Sequence, residues 1–169
     1  MNNKLAFIAV LAISGAALGF NAYRSHSVAQ SAEVKQYVNT LSGYRVDYSN
    51  NFSVKEDYGG KLARFILSED KKVSVAIYQK QNTKELSIDE WAHEKFGKIG
   101  KNPMEKQGDV VIDGVQGLKY KGDLHGDSIF IFLPAKDNML EIEYYTPYGQ
   151  QERYFRNFES LISSIKLID

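Results

Sequence analysis

The segment Asp123-Leu-His-Gly-Asp127 holds the densest set of groups able to do chemistry in this 169-residue chain. In an extended backbone Asp123, His125 and Asp127 fall on one side, because side chains repeat every two residues. Two carboxylates and one imidazole form a ligand set suited to a divalent cation such as Mn²⁺ or Zn²⁺. The same residues also read as a polar hairpin loop, where Asp and Gly are favoured for their turn geometry. The other histidines offer less. His93 sits off the apolar stripe of a helix and is expected to be solvated, and His26 has no visible partner. No Gly-x-Ser-x-Gly elbow, Gly-x-Gly-x-x-Gly turn or Gly-Lys-Ser/Thr phosphate loop occurs. With no Cys there is no thiol nucleophile, disulfide, thiolate metal site or lipobox. The expectation is a chain that is not an enzyme and carries no cofactor. The alternatives are a small-ligand or divalent-metal site at Asp123, His125 and Asp127 and, less favoured, a weak hydrolase.

A second set of candidates lies on predicted strands. In Leu118-Lys-Tyr-Lys121, placing Leu118 and Tyr120 inward sends Lys119 and Lys121 outward. In the strand from Leu140, the same alternation sends Glu141, Glu143 and Tyr145 outward. Together with Tyr148 in the turn Thr146-Pro-Tyr-Gly149, these residues make a candidate partner-docking patch on a sheet face that helices leave partly uncovered. The plainer reading is a solvated face whose charges keep the domain soluble.

The elements that must position these residues are legible from periodicity. Tyr44–Tyr48, Phe52–Glu56, Leu62–Leu67 and Val73–Tyr78 read as strands, with turns at Asn50-Asn51, Gly59-Gly60 and Glu69–Lys72. Ser87-Ile-Asp-Glu90 is a capping box that opens a helix, and Ile88, Trp91, Ala92, Phe96 and Ile99 form its apolar stripe. Asp109–Ile112 and Val115–Lys121 flank Asp113-Gly114, a preferred two-residue hairpin turn. Ile129–Leu133 is an unbroken apolar run, expected to be a central strand covered on both faces. Tyr154, Phe155, Phe158, Leu161, Ile162 and Ile165 mark a final helix from about 150 to 164. The predicted class is α+β: an antiparallel sheet of about six to eight strands with two packing helices.

Leu5 to Phe20 is an uncharged apolar run that follows Lys4. At about 1.5 Å per residue it reaches about 24 Å, against a bilayer core of about 30 Å. It reads either as a membrane anchor, with Tyr23 and Arg24 at the interface, or as a signal peptide cut after Ser27-Val28-Ala29, with a buried core helix as the less favoured third option. Residues 1–27 are assigned to this element, 28–42 to a short helical stalk or linker, and 43–169 to the domain. Both leading readings predict export: the domain is anchored outside the cytoplasmic membrane, or secreted or periplasmic. The chain has 21 basic and 21 acidic residues, which excludes the basic footprint of a nucleic-acid binder. Lys4 and Arg24 fall in the first 32 residues, so the rest carries 19 basic and 21 acidic residues, with no polybasic stripe for anionic lipid.

Particular words inside this pattern resemble the PsbP-like family, whose fold also occurs in a nuclear-import factor that binds the Ran GTPase. They are Tyr44-Arg-Val-Asp-Tyr48 leading to Asn51-Phe-Ser-Val54, Ile112-Asp-Gly-Val-Gln-Gly-Leu-Lys-Tyr120, and the closing Phe158-Glu-Ser-Leu-Ile-Ser-Ser-Ile-Lys-Leu-Ile168. The resemblance covers Gly43 to Asp169 and implies an α/β/α sandwich, which the Leu5–Phe20 run precedes as an N-terminal hydrophobic helix. It also implies a non-catalytic extracytoplasmic domain that binds a protein partner at or near the membrane. Many relatives place Pro where this chain has Ser49, and no His here matches a metal-binding His of the photosynthetic subunit.

Overall fold

The computed structural model describes residues 33–97, 104–123, 126–135 and 138–168. The apolar run Leu5–Phe20 and His26 lie outside them, as does His125. Among the described residues no helix is long and apolar enough to cross a membrane. In chain order the strands are β1 (Val34–Asn39), β2 (Tyr44–Ser49), β3 (Phe52–Asp57), β4 (Leu62–Leu67) and β5 (Ser74–Gln81). Helix α1 (Ile88–Gly97) follows, then β6 (Glu105–Ile112), β7 (Val115–Asp123), β8 (Asp127–Ala135) and β9 (Asn138–Thr146). Helix α2 (Gln151–Ser163) and the short β10 (Lys166–Leu167) close the fold.

Local chemistry accounts for the boundaries. At the start of α1, the Ser87 amide donates to Glu90 Oε2 at 2.8 Å while the Glu90 amide donates to Ser87 Oγ at 3.3 Å, the reciprocal capping expected from the sequence. The β6–β7 hairpin turns on Asp113 and Gly114, with φ of 49° and 81°, as a tight turn matched to strand twist requires. Seven strands form one sheet in the order β3-β4-β5-β9-β8-β7-β6, every pairing antiparallel; β1, β2 and β10 form a second, three-stranded sheet.

The large sheet separates two apolar layers. On one side Phe65, Ile77, Ile131 and Ile142 pack with Tyr154, Phe158, Leu161 and Ile162 of α2 and with Tyr44 and Val46 of β2. On the other, Leu118, Tyr120, Phe130 and Phe132 meet Ala92, Trp91 and Phe96 of α1. Phe130 is 1% and Ile131 2% exposed, so β8 is covered on both faces as its unbroken apolar run predicts.

One expectation is overturned. Residues 34–39, assigned to a helical stalk, are strand β1, paired along its length with β2. Val34 and Val38 are exposed, so no buried aliphatic alternation marks the strand. The inward positions are Tyr37, whose ring meets Phe65 edge-on at 5.6 Å, and Asn39, whose amide donates to the Gly60 carbonyl at 2.7 Å. A buried Asn carries no hydrophobic signal, and that hid the strand.

Candidate functional site

The Asp123–Asp127 hairpin end is built as a latch. Asp123 and Asp127 face each other as the last rung of β7–β8. The Tyr148 hydroxyl donates to Asp123 Oδ1 at 2.6 Å, and the Gly149 amide donates to Asp127 Oδ2 at 2.8 Å. The two carboxylates therefore hold the turn that leads into α2. The Asp123 carboxylate pushes the Tyr148 phenol above its ordinary pKa, although the ring is 61% exposed. Among the described residues no three His, Asp or Glu side chains converge to hold a metal. His125, the proposed third ligand, is outside those residues.

The expected docking patch divides in two. Register pairs Lys119 with Ile131 and Ile131 with Ile142, so Lys119 and Lys121 lie on the α2 face; Lys119 Nζ sits 5.7 Å from the Phe155 ring centre. Leu118 pairs with Phe132 and Phe132 with Glu141, so Glu141, Glu143 and Tyr145 lie on the α1 face. The reason is that both faces of this sheet are covered, so an inward position on one strand does not make its neighbours outward.

Glu141 corrects the reading further. It is buried, with a side chain 2% exposed, and receives three donors. Trp91 Nε1–H donates to Oε1 at 2.8 Å, Lys95 Nζ donates to Oε2 at 2.5 Å, and Lys80 Nζ lies 2.8 Å from the same oxygen. Burial pushes the Glu141 carboxyl up, but Lys95 and Lys80 outweigh it and hold it below the usual range. Lys95 also lies below its ordinary range, because burial outweighs its share of that carboxylate. Its Nζ sits 5.2 Å and 5.5 Å from the ring centres of Phe130 and Phe132. The sequence held a signal for this pair: Lys95 occupies the position seven residues after Ile88 in the apolar stripe, and a charge there demands a buried counterion.

Above this cluster, between the end of β5 and α1, is a cleft of about 410 Å³ lined by Lys80, Lys84, Leu86, Trp91, Lys95 and Glu141 among others. Beside it the sheet face is open. Helix α1 packs over β7 and β8, while Arg64, Ile66, Tyr78 and Glu143 remain partly exposed. Arg64, Ala76 and Glu143 lie in one cross-strand row. Arg64 Nη2 donates to the Tyr78 hydroxyl at 3.5 Å. Among the described residues the Glu143 carboxylate accepts no hydrogen bond, and burial raises its pKa.

No protein-family model matches the chain, and no curated protein matches it by sequence. Solved structures do share its fold. The solution structure of cyanobacterial PsbP (CyanoP) from Synechocystis sp. PCC 6803 superposes with a TM-score of 0.58 at 13% identity, covering 85% of this chain and 97% of that one. A crystal structure from Bacteroides thetaiotaomicron VPI-5482 superposes with a TM-score of 0.57 at 12% identity, covering 80% of this chain and 48% of that one. The chain has a PsbP-like fold.

Proposed function

We propose that the chain is a non-catalytic extracytoplasmic binding or assembly module that docks a protein partner on the open half of its large sheet. The observation that carries this reading is Glu143: a partly buried carboxylate with no hydrogen-bond donor among the described residues, near Tyr78 and Arg64, with Ile66 in the next cross-strand row. A desolvated carboxylate with no direct donor, its charge offset only at a distance by Lys95, Arg64 and Lys80, weakens the free domain and is satisfied by a basic side chain brought in by a partner. Tyr78 and Ile66 supply contact area around it at low entropic cost. The fold shared with PsbP supports a scaffold role, and the Leu5–Phe20 run supports export.

The docking face is tested with a photocrosslinking residue at Ile66, compared with one at Arg156 on the exposed side of α2, in cells that make the full chain. The expected result is a discrete adduct from position 66 alone, competed away by excess purified wild-type protein. Equal labelling from both positions, or none from 66, overturns the docking face. Protease added to spheroplasts of the same cells tests the compartment: the domain is degraded if exported and survives if it is not.

A further inference from the structure

We infer that the cleft between the end of β5 and α1 binds a small monocarboxylate with a flat apolar body, the carboxylate on Lys80 and the body against Trp91 and Leu86. This goes beyond the docking reading and rests on different side chains. The charge balance of the cleft is the first argument. Glu141 is served by two ammonium groups and an indole N–H, and Glu143, whose charge Lys95 and Lys80 also feel, shares a cross-strand row with Arg64, so three cations stand against two carboxylates and one positive charge is left over. Lys84 and Glu94 pair at 2.7 Å and balance each other.

The second argument is which cation is free to move. Lys95 is 16% exposed and fixed under α1, whereas Lys80 is 47% exposed at the cleft mouth. Water screens such a half-exposed pair, so Lys80 is held weakly. If Lys80 turns to a ligand, Glu141 keeps Lys95 and Trp91 and is never left unpaired. The third argument is shape. A volume of about 410 Å³ falls in the range of small-molecule sites, and Trp91 with Leu86 offers an apolar wall alongside a polar lining of Lys80, Gln81, Thr83 and Lys84. A cation would meet the surplus charge and be repelled; a neutral compound would leave Lys80 unused.

The chain has one Trp, so the full-length ¹⁵N-labelled protein gives one indole N–H resonance, and it reports from the wall of this cleft. Sodium phenylacetate is titrated against that signal, with phenylacetamide and sodium acetate as comparisons. A saturable shift with phenylacetate is expected, with both comparison compounds binding about tenfold more weakly or worse. Lys80→Gln should weaken phenylacetate about tenfold, while Lys71→Gln leaves it unchanged. No saturable shift, equal affinity for the amide, or an unaltered Lys80→Gln titration overturns the site. Should Lys80→Gln melt early, the acid-against-amide comparison on the wild-type chain decides alone. Loss of the photocrosslink at position 66 with phenylacetate binding intact would sink the docking face and leave this site standing.

Discussion

Replacing Glu141 with Leu strands an ammonium group under α1, and the cost can be worked from the geometry. Removing one partner of a buried pair costs about 3–5 kcal/mol, because the remaining charge is left uncompensated. Two features reduce this. Phe130 and Phe132 stay within 5.5 Å of Lys95 Nζ and offset about 1 kcal/mol. Lys80, half-exposed, returns to water. The expected loss is therefore about 2–4 kcal/mol, or about 6–16 °C in melting temperature for a domain of this size. Glu141→Leu combined with Lys95→Met should return to within about 1–2 kcal/mol of wild type, the residue of the deficit being the orphaned Trp91 N–H. Urea unfolding followed by Trp91 fluorescence measures all of these on one scale. The pH dependence supplies a second readout. Glu141 is depressed in the folded state, so its contribution is present above the unfolded carboxyl pKa of about 4.3 and is lost as pH falls through the folded value. Lys95 is depressed as well, so its charge opposes folding at neutral pH and that penalty lifts as pH rises toward the ordinary lysine range. The Glu141→Leu deficit should thus narrow from pH 7 toward about pH 10. A deficit below about 1 kcal/mol at pH 7, or one that ignores pH, would refute a desolvated pair.

Three other outcomes are expected. Phe130→Ala and Ile131→Ala should each cost about 2–5 kcal/mol by urea unfolding, since the two side chains fill opposite layers; a cost under about 1 kcal/mol for either would mean that its face is solvated. Burial raises the Glu143 carboxyl, so its charged form opposes folding above its folded pKa. Glu143→Gln should therefore raise the melting temperature at pH 7, with the gain gone below about pH 4, and a lower melting temperature at pH 7 contradicts the burial. Asp113 accepts from the Leu167 amide at 2.9 Å and pairs with Lys166 at 3.0 Å, so Asp113→Ala should release β10 and speed carboxypeptidase trimming; an unchanged trimming rate would show that the pairing with β2 suffices.

Period and turn chemistry made most of the fold legible. The strand Leu62–Leu67 has the predicted bounds, the Ser87–Glu90 box opens α1, and the five consecutive apolar side chains of Ile129–Leu133 are buried because the strand is covered on both sides. Strand β1 was hidden because its inward residues are Tyr37 and Asn39, which pair through hydrogen bonds and a ring edge rather than through aliphatic burial. The candidate site was legible only in part. Alternation placed Glu141 and Glu143 on one face correctly, but which face α1 covers is a long-range fact, and it decides that Glu141 is buried while Glu143 is half-open. Lys119 and Lys121 were misjoined to them for the same reason. The Asp123 and Asp127 carboxylates were found by composition, and their use as a latch for Tyr148 and Gly149 needed coordinates.

The order β3-β4-β5-β9-β8-β7-β6 contains two hairpin-built meanders that meet at one seam, β5 against β9. Each meander closes through short connections, so both halves can pair early. The seam cannot. A nascent chain emerging in order exposes the inner edge of Ser74–Gln81 until Asn138–Thr146 has been made. That edge carries Val75, Ala76 and Ile77 beside unpaired amides, a template for pairing with another copy. Slow synthesis between these segments lengthens that exposure, so aggregation of this protein should track the time to deliver β9 more closely than the final stability of the domain.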